Sequence, residues 1–251
     1  MNHLHTALWG VLPYLCLVLF VAGTVWRFRH DRFGITTRSS QLHEHRLLRV
    51  ASPLFHYGLL FVIGGHVVGL LVPETLTERL RVSESTYHAA ALALGSLAGL
   101  ATVGGFLLLM WRRVRVRAVR RATTRGDLAL FPLLATVLVG GLVATVTLAF
   151  PHPYDYRAGL SVWFRSLFAL DPAVPAMAHA PFVYQLHTLL AMLLFALWPF
   201  SRLIHAFAAP IGYLVRPYVV YRSRAGRARG FSAAPMAAAV SRVRGRSAGV
   251  R

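Results

Sequence analysis

Four histidines lie within two long apolar segments of this sequence, and their type and spacing could support chemistry. Two lie in each segment: His56, His66, His187 and His205. The first segment, residues 52–71, contains no Asp, Glu, Lys or Arg, and its length suits one membrane-crossing helix. Polar side chains inside lipid are costly and usually face the interior of a bundle, where they serve a function. A single histidine of this kind is commonly a packing residue, but two pairs on two helices favour a shared role.

The spacing of these histidines predicts that they pair across two antiparallel helices. The two segments are separated by an odd number of crossings, so they run in opposite directions. Eighteen residues separate His187 from His205, or about five α-helical turns, which would place both imidazoles on one face. Antiparallel packing then sets His66 opposite His187 and His56 opposite His205.

Two facing imidazoles can act as the axial ligands of one haem iron, and such ligation leaves no open position for oxygen. The arrangement therefore predicts two haems that transfer electrons. A zinc site is a weaker interpretation because no third or fourth ligand lies beside either pair. A proton relay is a further alternative, but it does not account for matched pairs beside glycines that could make room for porphyrin rings. These glycines are Gly58, Gly64, Gly65 and Gly69.

Five apolar segments must position the histidines: residues 4–26, 52–72, 88–111, 128–150 and 181–206. Each has roughly the length that a hydrocarbon core of about 30 Å requires. Backbone groups in lipid must be satisfied within the chain, so each segment should be a helix. The expected fold is all-α, a polytopic membrane bundle of five transmembrane helices. A short apolar piece at 160–170, in the loop before the last segment, is expected to form a helix at the membrane surface.

Charge and composition favour a multi-pass membrane protein and argue against nucleic-acid binding. Of the 251 residues, 56% are hydrophobic; the formal net charge is +19, and all 27 basic residues are arginines. Arginine-rich and arginine-poor loops alternate, and the positive-inside rule then predicts an external N-terminus and a cytoplasmic C-terminus. Contacts with lipid headgroups explain this charge better than nucleic acid does. The single cysteine, Cys16, excludes an internal disulfide, a CxxCH haem attachment and a thiolate zinc site.

Two stretches of the sequence resemble a known family, the gamma subunit of respiratory nitrate reductase, which is a membrane di-haem cytochrome b. The first is SSQLHEHRLLRVASPLFHYGLLFVIGGHVVGLLVP at residues 39–73, and the second is YQLHTLLAMLLFALWPFSRLIHAFAAPIGYLVRPY at residues 184–218. Both histidine pairs match together with their flanking residues. The resemblance covers most of residues 1–225, which are expected to form one di-haem membrane domain. Residues 226–251 lie outside it and are expected to form a basic, disordered cytoplasmic tail.

The resemblance implies cofactors, a substrate and partners. It assigns one b-type haem to His66 and His187 near the outer face, and a second to His56 and His205 near the inner face. It implies quinol oxidation around Gly65 and His66. Electrons would pass to a cytoplasmic iron–sulfur beta subunit and then to a molybdenum-containing alpha subunit that reduces nitrate. The complex would lie in the cell membrane, and this chain would contribute its quinol-oxidising site but no nitrate-reducing site.

Three further residues are expected near these cofactors. Some members of the family have a lysine in the loop before the third span, and here His88 is expected to contact quinol in its place. Arg202 and Arg112 could pair with haem propionates, because a guanidinium group binds a carboxylate bidentately. Each arginine could instead be a topology marker that contacts lipid phosphate.

Three other functions are compatible with parts of the sequence. A transporter or channel would place charged or broken helices at mid-membrane, yet the centres of these spans carry no Asp, Glu or Arg. A structural anchor would keep the five spans but use the histidines only for packing. A related haem-containing anchor or electron-transfer subunit could serve another quinol-linked oxidoreductase.

Overall fold

The chain forms a helical bundle. The structure, a computed structural model, describes residues 3–31, 34–35, 44–150 and 154–208. These residues form helices and no strands, as the sequence predicts. They belong to one compact unit, Met1–Ala209; a second unit, Pro210–Arg251, lies outside the described residues and includes the predicted tail.

Five of the helices are long and apolar enough to cross a membrane, which confirms the predicted all-α bundle for the described part of the chain. They are α1 (His3–His30), α2 (Arg46–Leu71), α3 (Glu84–Arg115), α4 (Arg125–Ala149) and α5 (Phe182–Phe200). Shorter helices connect them at Glu74–Arg79, Arg117–Arg121, Leu160–Ser166 and Val174–Ala178. Many large apolar side chains on the five long helices are exposed, as expected for surfaces that contact lipid.

Short polar motifs fix where two of the long helices begin. Ser83 caps α3 by accepting a hydrogen bond from the backbone N–H of Thr86, at 3.2 Å. At the start of α4, Thr124 and Asp127 form a capping box: Thr124 Oγ1 accepts from the Asp127 N–H, and the Asp127 carboxylate accepts from the Thr124 N–H. Each motif satisfies backbone donors that the first helical turn leaves without partners.

Close helix packing connects α2 with α3, α3 with α4, α4 with α5, and α5 with α1. Two glycines allow the tight contact between α2 and α3. A Cβ atom at Gly105 would collide with the main chain of Phe55, and one at Gly58 would lie 2.7 Å from Thr102 Oγ1. These contacts bring the two backbones together in the way that small residues permit in membrane bundles.

Side chains of the loop before α5 donate hydrogen bonds to backbone carbonyls at the end of α2. Residue 73 is a proline and has no N–H to donate to the Gly69 carbonyl, so that acceptor needs another partner. Ser161 Oγ supplies the donor at 2.8 Å, and Arg165 Nη1 donates to the neighbouring Leu70 carbonyl at 3.2 Å. Both donors lie on the short helix Leu160–Ser166, which confirms the predicted helix in this loop; its location at the membrane surface stays a prediction.

The end of α5 departs from the prediction of a continuous helix through residue 206. The α-helical part ends at Leu197, a 3-10 turn follows over Trp198–Phe200, and Ser201 is extended. A second 3-10 segment, Arg202–Ala208, then carries His205. Pro199 explains the break, because its ring removes a backbone donor and clashes with the preceding helical turn. The expectation that His187 and His205 share one face of a single α-helix is therefore wrong.

Candidate functional site

The four histidines form the two expected pairs despite the break in α5. The imidazole centroids of His66 and His187 lie 6.1 Å apart with an interplanar angle of 34°. Those of His56 and His205 lie 6.2 Å apart with an angle of 78°. We refer to these as the His66 pair and the His56 pair. His66 faces His187 and His56 faces the later residue His205, so α2 runs antiparallel to α5 and the segment that follows it.

Backbone carbonyls hold the Nδ1 atoms of three of these histidines. His66 Nδ1 donates to the Val62 carbonyl at 2.8 Å, and His56 Nδ1 donates to the Ser52 carbonyl at 2.7 Å. His205 Nδ1 donates to the Arg202 carbonyl at 2.5 Å. A carbonyl accepts only from a protonated nitrogen, so these contacts select the tautomer in which Nε2 carries the lone pair. The second nitrogen of a metal-binding histidine is commonly fixed in this way.

The fourth imidazole, His187, is held by close contact with the backbone of α4. A Cβ atom at Gly141 would lie 2.9 Å from His187 Cε1, whereas one at Gly140 would lie 3.5 Å from His187 Nδ1. Only glycine at position 141 therefore lets the ring lie in this position. His187 Nδ1 is buried without a hydrogen bond of good geometry, although it faces the main chain of Val137.

The geometry of both pairs suits two axial ligands of one metal ion. A bond between a metal and an imidazole nitrogen is about 2 Å long, so two nitrogens on opposite sides of one ion place their ring centroids roughly 6 Å apart. Both observed separations match this value. Within the described residues no group of three or more His, Cys, Asp or Glu side chains could hold a metal ion. Two imidazoles at this separation would suit the iron of a haem.

Comparison with known proteins supports the resemblance noted in the sequence. A family described as nitrate reductase gamma subunit matches residues 5–224. The chain belongs to this family.

Similarity to individual proteins agrees with this assignment. The chain is 39% identical over 217 residues to the nitrate reductase gamma chain of Bacillus subtilis, covering 86% of this chain and 97% of that protein. It is 32% identical over 225 residues to the respiratory nitrate reductase 1 gamma chain of Escherichia coli, covering 89% and 100%. It is also 50% identical over 218 residues to the nitrate reductase-like protein NarX of Mycobacterium tuberculosis, covering 86% of this chain. The matched part is 33% of that protein's length. Together with the five apolar helices, these matches identify a membrane protein of the gamma subunit family.

The glycines near the histidines of this gamma subunit fall into two groups. A Cβ atom at Gly64 or Gly65 would meet no atom within 4 Å, so these positions could face a flat cofactor or ligand. Gly58 packs against Thr102, and a Cβ at Gly69 would lie 3.3 Å from the Tyr156 ring. The expectation that Gly58 and Gly69 make room for porphyrin is therefore wrong, since protein atoms already lie against them.

Both candidate propionate-binding arginines bind carboxylates of the chain itself. Arg112 is 3% exposed, and its Nε atom lies 2.6 Å from Glu44 Oε2. The Leu47 N–H also donates to Glu44 and, together with Arg112, lowers the pKa of this carboxyl. Arg202 binds both carboxylate oxygens of Asp127. Contact of either arginine with a haem propionate stays a prediction.

His88 bridges two helices. Its Nε2 atom donates to the Leu148 carbonyl at the end of α4, at 3.1 Å, which leaves Nδ1 as the acceptor nitrogen of the ring. The neighbouring residue, Tyr87, accepts a hydrogen bond from the Tyr156 hydroxyl at 3.3 Å, and the Tyr156 ring lies against Gly69. Gly69 is one helical turn beyond Gly65, so these contacts place the His88 end of α3 beside the corresponding end of α2.

A buried arginine completes this end of the bundle, and sequence reasoning missed it. Arg157 is 3% exposed; its guanidinium binds Glu84 at 3.0 Å and Thr77 at 2.7 Å and lies 4.0 Å from the ring centroid of Tyr87. Burial raises the pKa of Tyr156 above its usual range, so its hydroxyl stays protonated and can donate to Tyr87. An arginine in an arginine-poor loop runs against the topology pattern, which was the available signal.

Proposed function

We propose that this chain is the membrane cytochrome b subunit of a respiratory nitrate reductase. In this proposal it oxidises quinol near the His66 pair and transfers electrons through two b-type haems. The observation that carries it is the presence of two facing histidine pairs, each with ring centroids about as far apart as two axial ligands require. Two relatives are named nitrate reductase gamma chains, which supports nitrate reduction as the reaction of the complex.

The His66 pair and the His56 pair would each hold one haem. When bound, haem with two imidazole ligands supplies single-electron transfer without an open site for oxygen. The protein's part is to present Nε2 in its neutral form, which the Nδ1 contacts with Val62, Ser52 and Arg202 achieve. The four histidines lie on or beside apolar membrane-spanning helices.

Quinol would bind beside Gly65 and His66, with His88 as a proton acceptor. His66 cannot accept that proton directly, since its Nδ1 donates to Val62 and its Nε2 would bind iron. His88 Nδ1 is an acceptor because Nε2 donates to Leu148. An imidazole with an acceptor nitrogen can take a proton from quinol and pass it to water.

The topology inferred from arginine counts gives this reaction a direction. It places the His66 pair near the outer face and the His56 pair near the cytoplasmic face of the cell membrane. Protons would leave outside, and electrons would move inward to an iron–sulfur beta subunit and a molybdenum-containing alpha subunit. Such charge separation would build a membrane potential.

The decisive measurement is the haem content of the purified protein, prepared with its partner subunits and with haem available. A pyridine haemochrome assay should give about two b-type haems per chain, and His66→Ala and His56→Ala should each remove one of them. Two different haem signals should disappear, one in each variant. A folded wild-type protein without haem would overturn the electron-transfer function and favour a structural anchor.

The quinol site can be tested at Gly65 without disturbing the fold. Gly65→Ala adds a methyl group that meets no protein atom within 4 Å, so the helix and the haem content should be unaffected. We expect quinol to reduce the haems at least about tenfold more slowly, a loss of roughly 1.4 kcal/mol, while dithionite reduces them at the wild-type rate. Gly104→Ala on α3, whose added methyl group also meets no protein atom within 4 Å, is the matched control. Wild-type rates with quinol in Gly65→Ala would exclude this position from the site.

A further inference from the structure

Asp127 is the one acidic side chain that is buried in the part of the chain the structure describes, with 2% of its surface exposed. It lies in the first turn of α4, where its backbone N–H and carboxylate take part in the capping box with Thr124. A buried carboxylate is costly unless it is paired and hydrogen-bonded. A helix cap alone does not require burial, because capping residues function well at exposed helix ends. The position of Asp127 therefore calls for a second role.

The partner of Asp127 is an arginine 75 residues later in the chain. Arg202 Nε lies 2.9 Å from Asp127 Oδ1, and Arg202 Nη2 lies 2.7 Å from Asp127 Oδ2. This is the bidentate geometry in which guanidinium and carboxylate bind most strongly. A second arginine, Arg113, is less well placed, with Nη1 at 3.9 Å from Oδ2. The ion pair thus joins the start of α4 to the segment that follows the break in α5.

That segment carries His205, one of the two members of the His56 pair. Arg202 is the first residue of the 3-10 segment Arg202–Ala208, and its carbonyl accepts the hydrogen bond from His205 Nδ1. The side chain of Arg202 binds Asp127 while its main chain orients His205. A shift of Arg202 would therefore move the carbonyl that sets the imidazole's rotation and tautomer.

The break in α5 makes this anchor necessary. His187 lies on an uninterrupted α-helix, which fixes its position. His205 comes after an extended residue, Ser201, so the geometry of α5 does not determine where it lies. A 3-10 segment has weaker hydrogen-bond geometry than an α-helix and is rarely stable alone. Tertiary contacts must then fix its place, and the Asp127–Arg202 pair is a charged contact at its first residue.

We propose that Asp127 is a positioning residue for the His56 pair: through Arg202 it holds the carbonyl that orients His205 as an axial ligand. This inference rests on the proposed haem-binding function and adds to it a residue on α4 that touches neither histidine. Arg202 connects the two residues: its side chain binds Asp127, and its carbonyl accepts the hydrogen bond from His205 Nδ1.

The test uses the full chain purified in its complex, with Asp127→Asn. The amide is nearly the same size but has no charge, so it cannot maintain the bidentate pair with Arg202. Total haem should fall from about two towards about one per chain, or the low-spin electron paramagnetic resonance signal of one haem should shift. The affected signal should be the one that His56→Ala removes, and the other haem should keep its signal and its midpoint potential.

Two control variants separate positioning from general damage to α4. Thr124→Ala removes the hydroxyl half of the capping box, and Arg113→Gln removes the 3.9 Å ionic contact with Asp127; both variants retain the bidentate hydrogen bonds between Asp127 and Arg202. Both should keep two haems with wild-type signals. The same selective change in either control would show that Asp127 acts only through the helix cap or the local charge, and the proposal would be wrong.

A third variant keeps the test decisive if the single substitution prevents folding. Asp127→Asn leaves Arg202 half-buried without its charged partner, which can destabilise the fold by itself. The double variant Asp127→Asn, Arg202→Gln removes both charges, and it should fold and show the same selective change. Unchanged signals from both haems in a folded variant would overturn the proposal while leaving the proposed function intact. Absence of haem in the wild-type protein would overturn both.

Discussion

The His66 pair and the His56 pair have nearly equal ring separations but are secured in different ways. In the His66 pair, both imidazoles lie on α-helices, and His187 rests directly on the backbone of α4 at Gly141. In the His56 pair, His205 lies on a 3-10 segment after a helix break and depends on side-chain contacts at Arg202. Both members of the first pair thus lie on α-helices, whereas one member of the second pair, His205, depends on tertiary contacts of a 3-10 segment.

This difference predicts where each pair is vulnerable. An α-helix transmits position along its length through regular hydrogen bonds, so His187 should tolerate changes far from its own turn. His205 should respond to substitutions on other helices, because Asp127 on α4 fixes the start of its segment. The partner histidine His56 adds a further dependence, since the residue before it, Phe55, packs against α3.

The largest effect is expected for Gly105→Ala on α3. The added methyl group would collide with the backbone nitrogen and Cα of Phe55, and main-chain atoms cannot move aside by changing a rotamer. We expect a loss of roughly 3 kcal/mol of stability and a displacement of the helical turn that carries His56. Thermal unfolding of the detergent-solubilised protein should occur at lower temperature, and the haem proposed for the His56 pair should be lost first.

The neighbouring glycine provides the control for this prediction. Gly104→Ala adds the same methyl group on the same helix, but no atom lies within 4 Å of it. Its unfolding temperature should equal or slightly exceed that of the wild type, because alanine favours the helix over glycine by up to about 1 kcal/mol. Equal destabilisation by both substitutions would refute close contact between α2 and α3 as the cause.

Much of this architecture follows from the sequence because its signals are local. The five spans follow from apolar length, and the pairing of the histidines follows from their order on two antiparallel segments. Pro199 was a visible sign that α5 could not continue, but a proline does not determine the conformation of the chain that follows it. The predicted pairing of His56 with His205 was right although the continuous helix behind it was wrong.

The remaining features depend on contacts between distant parts of the chain. Asp127 and Arg202 are 75 residues apart, and only the folded bundle shows that they meet. Similarly, a pair of adjacent glycines in a sequence does not reveal which one faces a neighbour. In the structure, a Cβ atom at Gly105 or Gly141 would collide with a neighbouring residue, whereas one at Gly104 or Gly65 would have no protein atom within 4 Å. The rotation of each helix about its axis determines which glycine faces a neighbour, and the presence of two adjacent glycines does not reveal that rotation.

An intermediate effect is expected for Ser161→Ala, which tests the His66 side of the comparison. Ser161 is fully buried and supplies the donor that Pro73 cannot provide to the Gly69 carbonyl. Its loss leaves a buried acceptor without that partner and should cost about 1–2 kcal/mol. Hydrogen exchange should increase in the last turn of α2 beyond His66. Ser166→Ala, which removes hydrogen bonds within the loop only, should leave exchange in α2 unchanged.

The smallest change in stability, and the sharpest test of the comparison, is expected for Gly141→Ala. The new methyl group would meet the edge of the His187 imidazole at 2.9 Å, and a side chain can rotate away where a backbone cannot. The gain in helix propensity, up to about 1 kcal/mol, should offset much of the cost, so the unfolding temperature should change little. The imidazole would nevertheless turn, and of the two proposed haems only the one at the His66 pair should change its spectrum. Gly140→Ala, with its nearest contact at 3.5 Å, should leave both haem signals as in the wild type. A change in the haem of the His56 pair would contradict the division argued above, because it would mean that α4 positions both pairs through the same contact.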